Sequence, residues 1–446
     1  MASNHDEQMN QRRQRREELR RKRQAEQRRM KLGLIAAAVV LILGTIWMVN
    51  ISRNPKPLGS DTAQQQITPQ TTAATEAATK PVAETTKPGR GYQEPITIHI
   101  KAAGDLNVTN AVVSAGLAAT GYDFTRAFMD VSAVLADADL TVLNFEGNVC
   151  GEPYGGDTTS APKEILEGLR NAGVDMVQTA NSRSIQNGFI GLTATLNAIR
   201  DAGLEPLGSY ASPAEFQKAK GYTMCDVQGV KVAFVAFTKG FLGMGLPTGN
   251  ESCVNLLYED YATNYDNVDK TRINALLKEI AKEEPDITIA MLHWGSENND
   301  VVSPTQKTIV NLMLKGGVDV ILGTHSHTLQ HIDYDPLKGT LVAYSLGDFF
   351  GDGVDGGTNY SIILDVEITK DPAAGVTKVT GYSYTPIYTL KETESSDQYR
   401  RVVRIEQAMQ AYTHNYVDKI TADAYAGMEK AMTRIPERLT PPVEED

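Results

Sequence analysis

Side chains with the chemistry of metal ligands stand directly after the apolar runs of this sequence. They form six clusters: Gly104-Asp105, Asn144-Phe145-Glu146-Gly147, Ala180-Asn181-Ser182-Arg183, His293-Trp294-Gly295-Ser296-Glu297, Gly323-Thr324-His325-Ser326-His327 and Ser345-Leu346-Gly347-Asp348-Phe349. A single aspartate in such a place is more often a turn or cap residue. Six clusters of carboxylate, amide and imidazole groups together favour a site for one or two transition-metal ions of Mn, Fe or Zn character.

The segment His325-Ser326-His327 is expected to supply two ligands from one loop. If it is extended, its side chains repeat every two residues, so that both imidazoles point to one side. Both could then reach one metal pair.

The elements that must position these groups alternate between strands and helices, which predicts an α/β fold. The predicted strands are Ile96–Ala102, Leu140–Asn144, Met176–Thr179, Val230–Phe237, Ile287–His293, Val318–Leu322 and Thr340–Ser345. The predicted helices are Phe124–Ala136, Pro162–Ala172, Gly188–Ala202, Val268–Glu283 and Pro304–Lys315. Functional groups of open α/β sheets gather beyond the carboxyl ends of strands, so the six clusters are expected to converge.

Two further patterns indicate that the sheets are mixed. Cys225–Lys231 is typical of a hairpin turn, and Tyr360–Tyr388 predicts two or three antiparallel strands. Tyr399–Met432 is predicted to be a helical tail that Pro436, Pro441 and Pro442 end.

The charge distribution divides the chain at an apolar segment. Residues 1–31 contain eleven lysines and arginines and five acids, a net charge of +6, so the rest of the chain carries −18 of the total of −12. Residues 32–51 have no ionisable side chain and match the ~20 residues that a transmembrane helix needs. The cations before this segment predict a cytoplasmic N-terminus and an extracellular C-terminal mass at the cell membrane, rather than a nucleic-acid-binding arm.

Composition sets the remaining predicted boundaries. Residues 52–93 are rich in Thr, Ala and Pro and predict a disordered extracellular linker. An α/β domain over 94–395 and a C-terminal helical tail over 396–446 follow. The three cysteines, Cys150, Cys225 and Cys253, have no metal-site spacing, and whether two of them form a disulfide stays open.

The motifs resemble those of the CapA family of bacterial capsule-synthesis proteins, which is associated with poly-γ-glutamate production. The resemblance runs from about Ile96 to Tyr388 and is carried by G-D, N-x-E-G, A-N, H-W-G-x-E, G-x-H-x-H-x-x-Q and S-L-G-x-F. It implies a metallophosphoesterase-like α/β/β/α sandwich, with two sheets between helical layers. It also implies the metal-side positions Asp105, Glu146, Asn181, His293, His325 and His327, with Asn144 orienting Glu146.

The third motif departs from the family pattern. Family members usually read A-N-N-H followed by an Asp and a Gly, whereas this chain has Ser182, Arg183 and Gln186 at the altered positions, and Asp348 stands where the family has Asn. Arginine stays protonated near neutrality and cannot act as a general acid. Arg183 could instead bind an anionic oxygen, or be a surface arginine paired with an acid.

Three functions are compatible with these features. The first is a membrane-anchored accessory protein, weakly active or inactive, that supports synthesis or export of a capsular poly-γ-glutamate polymer beside membrane synthase subunits. The second is an active metal-dependent hydrolase of a phosphoester or of the polymer's amide bond, with His293 and Arg183 as catalytic candidates. The third is a scaffolding domain without metal. The charge of −18 on residues 32–446 opposes the binding of an anionic polymer unless a local basic patch or a bridging cation intervenes.

Overall fold

The computed structural model describes residues 94–353, 357–392, 400–416 and 419–442. The predicted cytoplasmic arm, transmembrane helix and linker over 1–93 lie outside these residues. No helix within the described ranges has both the length and the apolar character that crossing a membrane requires.

Fourteen strands and nine α-helices make up the described residues. The strands are β1 Ile96–Asn107, β2 Leu140–Glu146, β3 Met176–Gln178, β4 Glu205–Leu207, β5 Thr223–Val227, β6 Val230–Thr238, β7 Ile287–His293, β8 Val320–Thr324, β9 Ile332–Asp335, β10 Thr340–Ala343, β11 Asp348–Phe350, β12 Tyr360–Asp371, β13 Val376–Lys391 and β14 Arg400–Arg404. The helices are α1 Asn110–Ala115, α2 Thr125–Ala136, α3 Glu164–Asn171, α4 Gly188–Asp201, α5 Pro213–Ala219, α6 Lys270–Lys282, α7 Pro304–Lys315, α8 Ile405–Thr413 and α9 Ala422–Leu439. All seven predicted strands and all five predicted helices are confirmed, with ends displaced by a few residues.

The first sheet has eight strands and mixed directions. Its order is β14-β13-β12-β1-β2-β3-β4, with β11 also paired to β1. The strands β1 to β4 are parallel, and β12, β13 and β14 are antiparallel to their neighbours. Along β1 the partner changes: residues up to Ala103 pair with β12, and Asp105 pairs with Asp348 of β11. This change places Asp348 beside the carboxyl end of β1.

The second sheet has six strands in the order β5-β6-β7-β8-β10-β9. The strands β6, β7, β8 and β10 are parallel, whereas the two edge strands, β5 and β9, are antiparallel to their neighbours. The predicted hairpin is confirmed, because β5 and β6 pair across Val227 and Val230. Both sheets are therefore mixed, as predicted.

Three apolar cores show the order of the layers. The central core joins inward-facing side chains of both sheets, such as Ile100 of β1 and Ile289 of β7. A second core packs α2 and α3 on the outer face of the first sheet, and a third packs α6 and α7 on the outer face of the second. The α/β/β/α sandwich that the resemblance implied is therefore confirmed.

The C-terminal segment differs from its prediction. Residues 400–404 form β14 at the edge of the first sheet rather than the start of a helix, and two helices, α8 and α9, follow. Buried Arg401 pairs with Glu392 and Asp130, so charged residues occupy a strand that an apolar pattern would not reveal. The prediction that Pro436 ends the helix is wrong: α9 continues to Leu439, because near a helix end the missing N–H removes only one hydrogen bond. The three cysteines are free thiols.

Candidate metal centre

Five of the predicted metal-side residues meet where the carboxyl ends of the two sheets adjoin. Asp105 and Glu146 come from β1 and β2 of the first sheet. His293 ends β7, and His325 and His327 follow β8 of the second sheet. Both carboxylates and all three imidazoles are buried. The sequence prediction that these strand ends converge is confirmed for these five residues.

Two groups of three donors form within this cluster, and Glu146 belongs to both. One contains Glu146, His293 and His325, and the other contains Asp105, Glu146 and His327. His293 Nε2 lies 3.6 Å from Glu146 Oε1, and His327 Nε2 lies 3.8 Å from Glu146 Oε2. A shared carboxylate with one oxygen toward each group is an arrangement suited to a pair of ions.

The loop after β8 presents its two histidines through unusual backbone geometry. His325 has φ = +92° and His327 has φ = +58°, both in the left-handed region that non-glycine residues rarely adopt. The extended conformation expected for this loop is therefore wrong, although both imidazoles do face Glu146 and Asp105. The His325 N–H donates to Asp105 Oδ2 over 3.0 Å, which ties this strained turn to the first sheet.

Two glycines allow the backbones to approach closely beneath the cluster. A Cβ on Gly104 would lie 1.8 Å from the Gly347 carbonyl oxygen, and one on Gly323 would lie 1.9 Å from the Tyr344 carbonyl oxygen. Neither position can carry a side chain without moving a strand. The close approach of the Tyr344 carbonyl therefore explains the glycine at 323.

One of the two asparagines of the cluster holds a carboxylate, and the other holds that asparagine. Asn144 Nδ2 donates to Asp105 Oδ1 over 2.6 Å, so Asn144 orients Asp105, whereas the resemblance implied Glu146. Asn181 Nδ2 donates to Asn144 Oδ1 and to the Phe145 carbonyl, and Asn181 Oδ1 accepts the Arg183 N–H. Asn181, predicted at a metal-side position, thus lies beside the cluster with its amide engaged by these groups.

The altered third motif occupies the space between the histidines. Ser182 Oγ lies 2.9 Å from His293 Nε2 and 3.3 Å from His325 Nδ1, so its hydroxyl joins the two imidazoles. The partly buried Arg183 contacts Gln186 Oε1 through Nη1 over 3.4 Å, and its buried Nε has no hydrogen-bond partner among the described residues. The pair of residues that departs from the family pattern therefore lies at the centre itself.

Burial sets the protonation of the two carboxylates. Desolvation raises the pKa of Asp105 to about 6, against the opposing charge of His327. Desolvation likewise raises the pKa of Glu146 to about 8, although His327 and Arg183 both lower it. Glu146 Oε2 is buried and has no hydrogen-bond partner among the described residues. A carboxylate oxygen in this state is stabilised only by a proton or by a cation.

The three histidines differ in charge because their neighbours differ. Burial, followed by the neighbouring cationic groups, holds the pKa values of His293 and His325 well below the usual value, so both imidazoles are neutral. Burial would also lower the pKa of His327, but Asp348, Glu146 and Asp105 raise it well above the usual value. His327 Nδ1 lies 2.8 Å from Asp348 Oδ1, the position where the family usually has Asn. Neutral imidazole is the form that binds metals.

Lys239 is a charged residue beside the site that the sequence analysis missed. It directly follows β6, and its ammonium donates to the Gly295 carbonyl over 2.7 Å and lies 4.6 Å from the centre of the Tyr265 ring. Burial lowers the pKa of Lys239, and its charge lowers the pKa values of His293 and His325. The rule applied to the other strand ends would have found it at the end of β6.

The donor set fits a divalent metal. Carboxylates and imidazoles at these spacings are ligands of Mn, Fe and Zn, and the unpartnered Glu146 oxygen supplies an open donor. Asp105, Glu146, His293, His325 and His327 are the residues that would hold it. His327, whose pKa is raised, would bind a metal only after it loses its proton.

Comparison with known proteins identifies a family. The profile described as "Bacterial capsule synthesis protein PGA_cap" matches residues 99–352, more than half of the chain, and this range contains every residue of the centre. A capsule biosynthesis protein CapA of Bacillus anthracis is 29% identical over 244 residues, which are 52% of this chain and 55% of that protein. A PGA biosynthesis protein CapA of Bacillus subtilis is 25% identical over 261 residues, 55% of this chain and 61% of that protein.

These alignments cover little more than half of each relative's length. Among solved structures, the calcineurin-like phosphoesterase YfkN of Bacillus subtilis aligns with 76% of this chain and 100% of that chain, at 16% identity and a TM-score of 0.41.

Proposed function

Since the chain belongs to the family of bacterial capsule synthesis proteins, we propose that it supports the synthesis or export of a capsular polymer of the poly-γ-glutamate type. The match over residues 99–352 is the observation that carries this proposal. The relatives in Bacillus anthracis and Bacillus subtilis bear the names of capsule and PGA biosynthesis proteins, which supports the same role here.

We also propose where in the cell the protein lies. The +6 arm before the apolar segment 32–51 favours a single-pass anchor with the α/β domain outside the cell membrane. An extracellular domain on a tether would act on the polymer as it leaves the membrane, beside the membrane subunits that make it.

The residues of the centre are better suited to binding an anionic group than to catalysing its hydrolysis. When bound, a divalent cation there would supply positive charge that polarises an oxygen of the ligand. Asp105, Glu146 and the three histidines hold that position, while Arg183 adds a fixed positive charge that lowers the pKa of Glu146. Where the family pattern has a histidine able to transfer a proton, Arg183 cannot do so near neutrality. We therefore infer a centre that orients carboxylate or phosphate oxygens.

Deletion of the gene from the bacterium that encodes it tests the role. The deletion strain is complemented with the wild type, with His325→Ala or with His99→Ala, whose imidazole lies on an exposed part of β1, and the amount and length of surface γ-linked polymer are measured. We expect the deletion and His325→Ala to reduce polymer, and His99→Ala to restore it. Unchanged polymer in the deletion strain would refute the role.

A metal-dependent hydrolase is the second candidate, and the retained carboxylate–histidine cluster favours it. The full chain supplied with Mn²⁺ is assayed on a phosphoester and on γ-glutamyl oligomers. An activity that His325→Ala removes, and that Ser182→Asn with Arg183→His increases, would establish this candidate. Its absence from both chains, with metal bound, would leave the accessory role.

A further inference from the structure

A cavity of about 290 Å³ lies against α9, and no residue of the metal centre belongs to its lining. We call it the α9 pocket; its lining includes Tyr360, Tyr388, Asp423, Lys430, Arg434 and Arg438. Small-ligand pockets begin at about 300 Å³. At about 290 Å³ the α9 pocket lies at the lower limit of that range, a size suited to a small group rather than to a long segment of a polymer.

The helix α9 turns a row of cations toward this pocket. Lys430, Arg434 and Arg438 are four residues apart, so they lie on one face of the helix. Met428, Ala431, Ile435 and Leu439 are buried and fix the other face against the core. The direction of the cationic row is therefore set by apolar packing.

Three acids lie near these three cations, and one of the three acids belongs to the pocket lining. Lys430 makes no ion pair within the described residues, and Arg434 Nη1 lies 3.6 Å from Glu437 Oε2 with both side chains about half exposed. Arg438 pairs with Asp300, and Asp423 is the one acid of the pocket lining. The half-exposed pair between Arg434 and Glu437 contributes little, so an incoming anion can compete with Glu437 for Arg434.

Two tyrosines form the floor beneath the cations. A Cβ on Gly427 would lie 2.4 Å from the Tyr388 hydroxyl, so the glycine lets α9 approach the sheet closely. Asn359 Nδ2 donates to that hydroxyl over 3.0 Å. Tyr360 and Arg434 both line this pocket. The floor is therefore neutral and polar, and the charge comes from α9.

The α9 pocket and the metal centre share a loop. Asp300, the partner of Arg438, belongs to the loop after β7, and the Asn298 N–H of that loop donates to the Ser326 carbonyl between the two histidines. A Cβ on Gly357 of the pocket lining would lie 3.6 Å from Thr328 Cγ2, next to His327. A ligand bound beside α9 would thus lie next to the loops of the centre.

We propose that the α9 pocket binds carboxylate groups of an anionic polymer and so retains the polymer beside the metal centre. The pocket supplies the local basic patch that a domain of strongly negative charge needs in order to hold a polyanion. The anionic character of the ligand follows from the cations themselves, whereas its identity as a γ-glutamyl polymer rests on the proposed function.

Binding is measured with the full chain purified in detergent, by titration with short γ-linked glutamate oligomers and with α-linked aspartate oligomers of equal charge. The test variant is Lys430→Gln with Arg434→Gln, which preserves helix propensity. The matched control is Lys218→Gln with Lys278→Gln, two exposed lysines of α5 and α6 whose loss changes the net charge equally. Arg434→Gln alone serves if the double variant does not fold.

We expect the pocket variant to raise the Kd for both oligomers about tenfold and the control variant to match the wild type. Equal affinity in the pocket variant and the wild type would overturn the proposal and leave the proposed function intact. No binding of either oligomer to the wild type would overturn it as well. Binding of the aspartate oligomer alone would support the α9 pocket and contradict the polymer assigned under the proposed function.

Discussion

The two ends of the parallel strands carry the same type of residue for different purposes. Directly before β2, β3, β7 and β8 stand four aspartates, and each carboxylate accepts an N–H near the start of the neighbouring strand. The hydrogen bonds run to Asp139 from His99 over 2.7 Å, to Asp175 from Thr141 over 2.9 Å, to Asp286 from Lys231 over 2.7 Å and to Asp319 from Thr288 over 2.8 Å. Each aspartate also returns its own N–H to the carbonyl of that residue.

At the carboxyl ends of the parallel strands, the carboxylates outnumber the hydrogen-bond donors and cations that would stabilise their charge. Glu146 has an oxygen without a hydrogen-bond partner among the described residues, and burial raises the pKa values of Asp105, Glu146 and Asp348. The amino-terminal aspartates complete the sheet, whereas the carboxyl-terminal group needs a cation or protons to be stable. The comparison shows that a carboxylate is a candidate functional group when it is buried and has an oxygen that accepts no hydrogen bond.

Removing a carboxylate from the amino-terminal end of the parallel strands should have the largest effect on the free energy of unfolding. Asp286 Oδ2 accepts the Lys231 N–H and pairs with Lys370 Nζ over 2.6 Å. We expect Asp286→Ala to lower the free energy of unfolding by about 3 kcal/mol, because two charge-assisted hydrogen bonds are lost. Asp286→Asn keeps an acceptor and should cost less. Denaturant unfolding measures both, and a loss below ~0.5 kcal/mol for Asp286→Ala would contradict the structural role.

Removing a carboxylate from the carboxyl end of the parallel strands should instead raise the free energy of unfolding. In chain stripped of metal by a chelator, Glu146→Gln removes a buried carboxylate whose pKa is raised to about 8. We expect the free energy of unfolding at pH 8 to rise by about 2 kcal/mol. A destabilised variant would show that Glu146 is a structural group like Asp286.

The pH dependence of the same metal-free chain sharpens this contrast. Between pH 6.5 and 8 an unfolded glutamate is ionised, whereas folded Glu146, with a pKa of about 8, still binds a proton. Folding then takes up protons, so stability falls as the pH rises, by about 1.6 kcal/mol from Glu146 alone across this window. His327, whose pKa is raised, acts in the same direction. His293 and His325 are neutral in the folded chain, and they oppose this trend only near pH 6.5, where an unfolded histidine is still partly protonated.

Urea unfolding at several pH values measures the slope. Glu146→Gln should flatten it, and so should saturating metal. A wild-type slope that stays flat or rises from pH 6.5 to 8 would contradict the raised pKa of Glu146.

The smallest effect is expected at His99, which lies near the amino-terminal end of β1 and pairs with a carboxylate. His99 Nδ1 lies 2.9 Å from Asp365 Oδ1, with 45% of the His99 side chain exposed. His99→Ala should change the free energy of unfolding by less than ~0.5 kcal/mol, because exposed pairs contribute little. A thermal or denaturant midpoint that moves as far as that of Asp286→Ala would remove the distinction between exposed and buried pairs.

Apolar runs made much of the fold predictable. β7 was predicted to the residue because Ile287–His293 is a buried run between polar turns. β14 was missed because its buried arginines are compensated by acids distant in sequence, and β11 because three residues carry no periodicity. Such pairings depend on tertiary contacts that a local pattern does not contain.

The site was predictable to a similar degree. Strand-end position found Asp105, Glu146 and the three histidines, because parallel strands bring their carboxyl ends together. It could not show that Asn181 faces Asn144 and the backbone, nor that Ser182 joins His293 and His325, since these depend on the conformation of one loop. The left-handed backbone of His325 and His327 likewise lies beyond a local pattern.

Metal content tests the central claim most directly. The full chain, its Glu146→Ala variant and its His99→Ala variant are loaded with Mn²⁺ or Zn²⁺, freed of excess ions and analysed by elemental mass spectrometry. Because Glu146 belongs to both donor groups, the account predicts metal in the wild type and in His99→Ala, and its loss from Glu146→Ala. A wild type without metal, or a Glu146→Ala variant that retains all of it, would contradict the account.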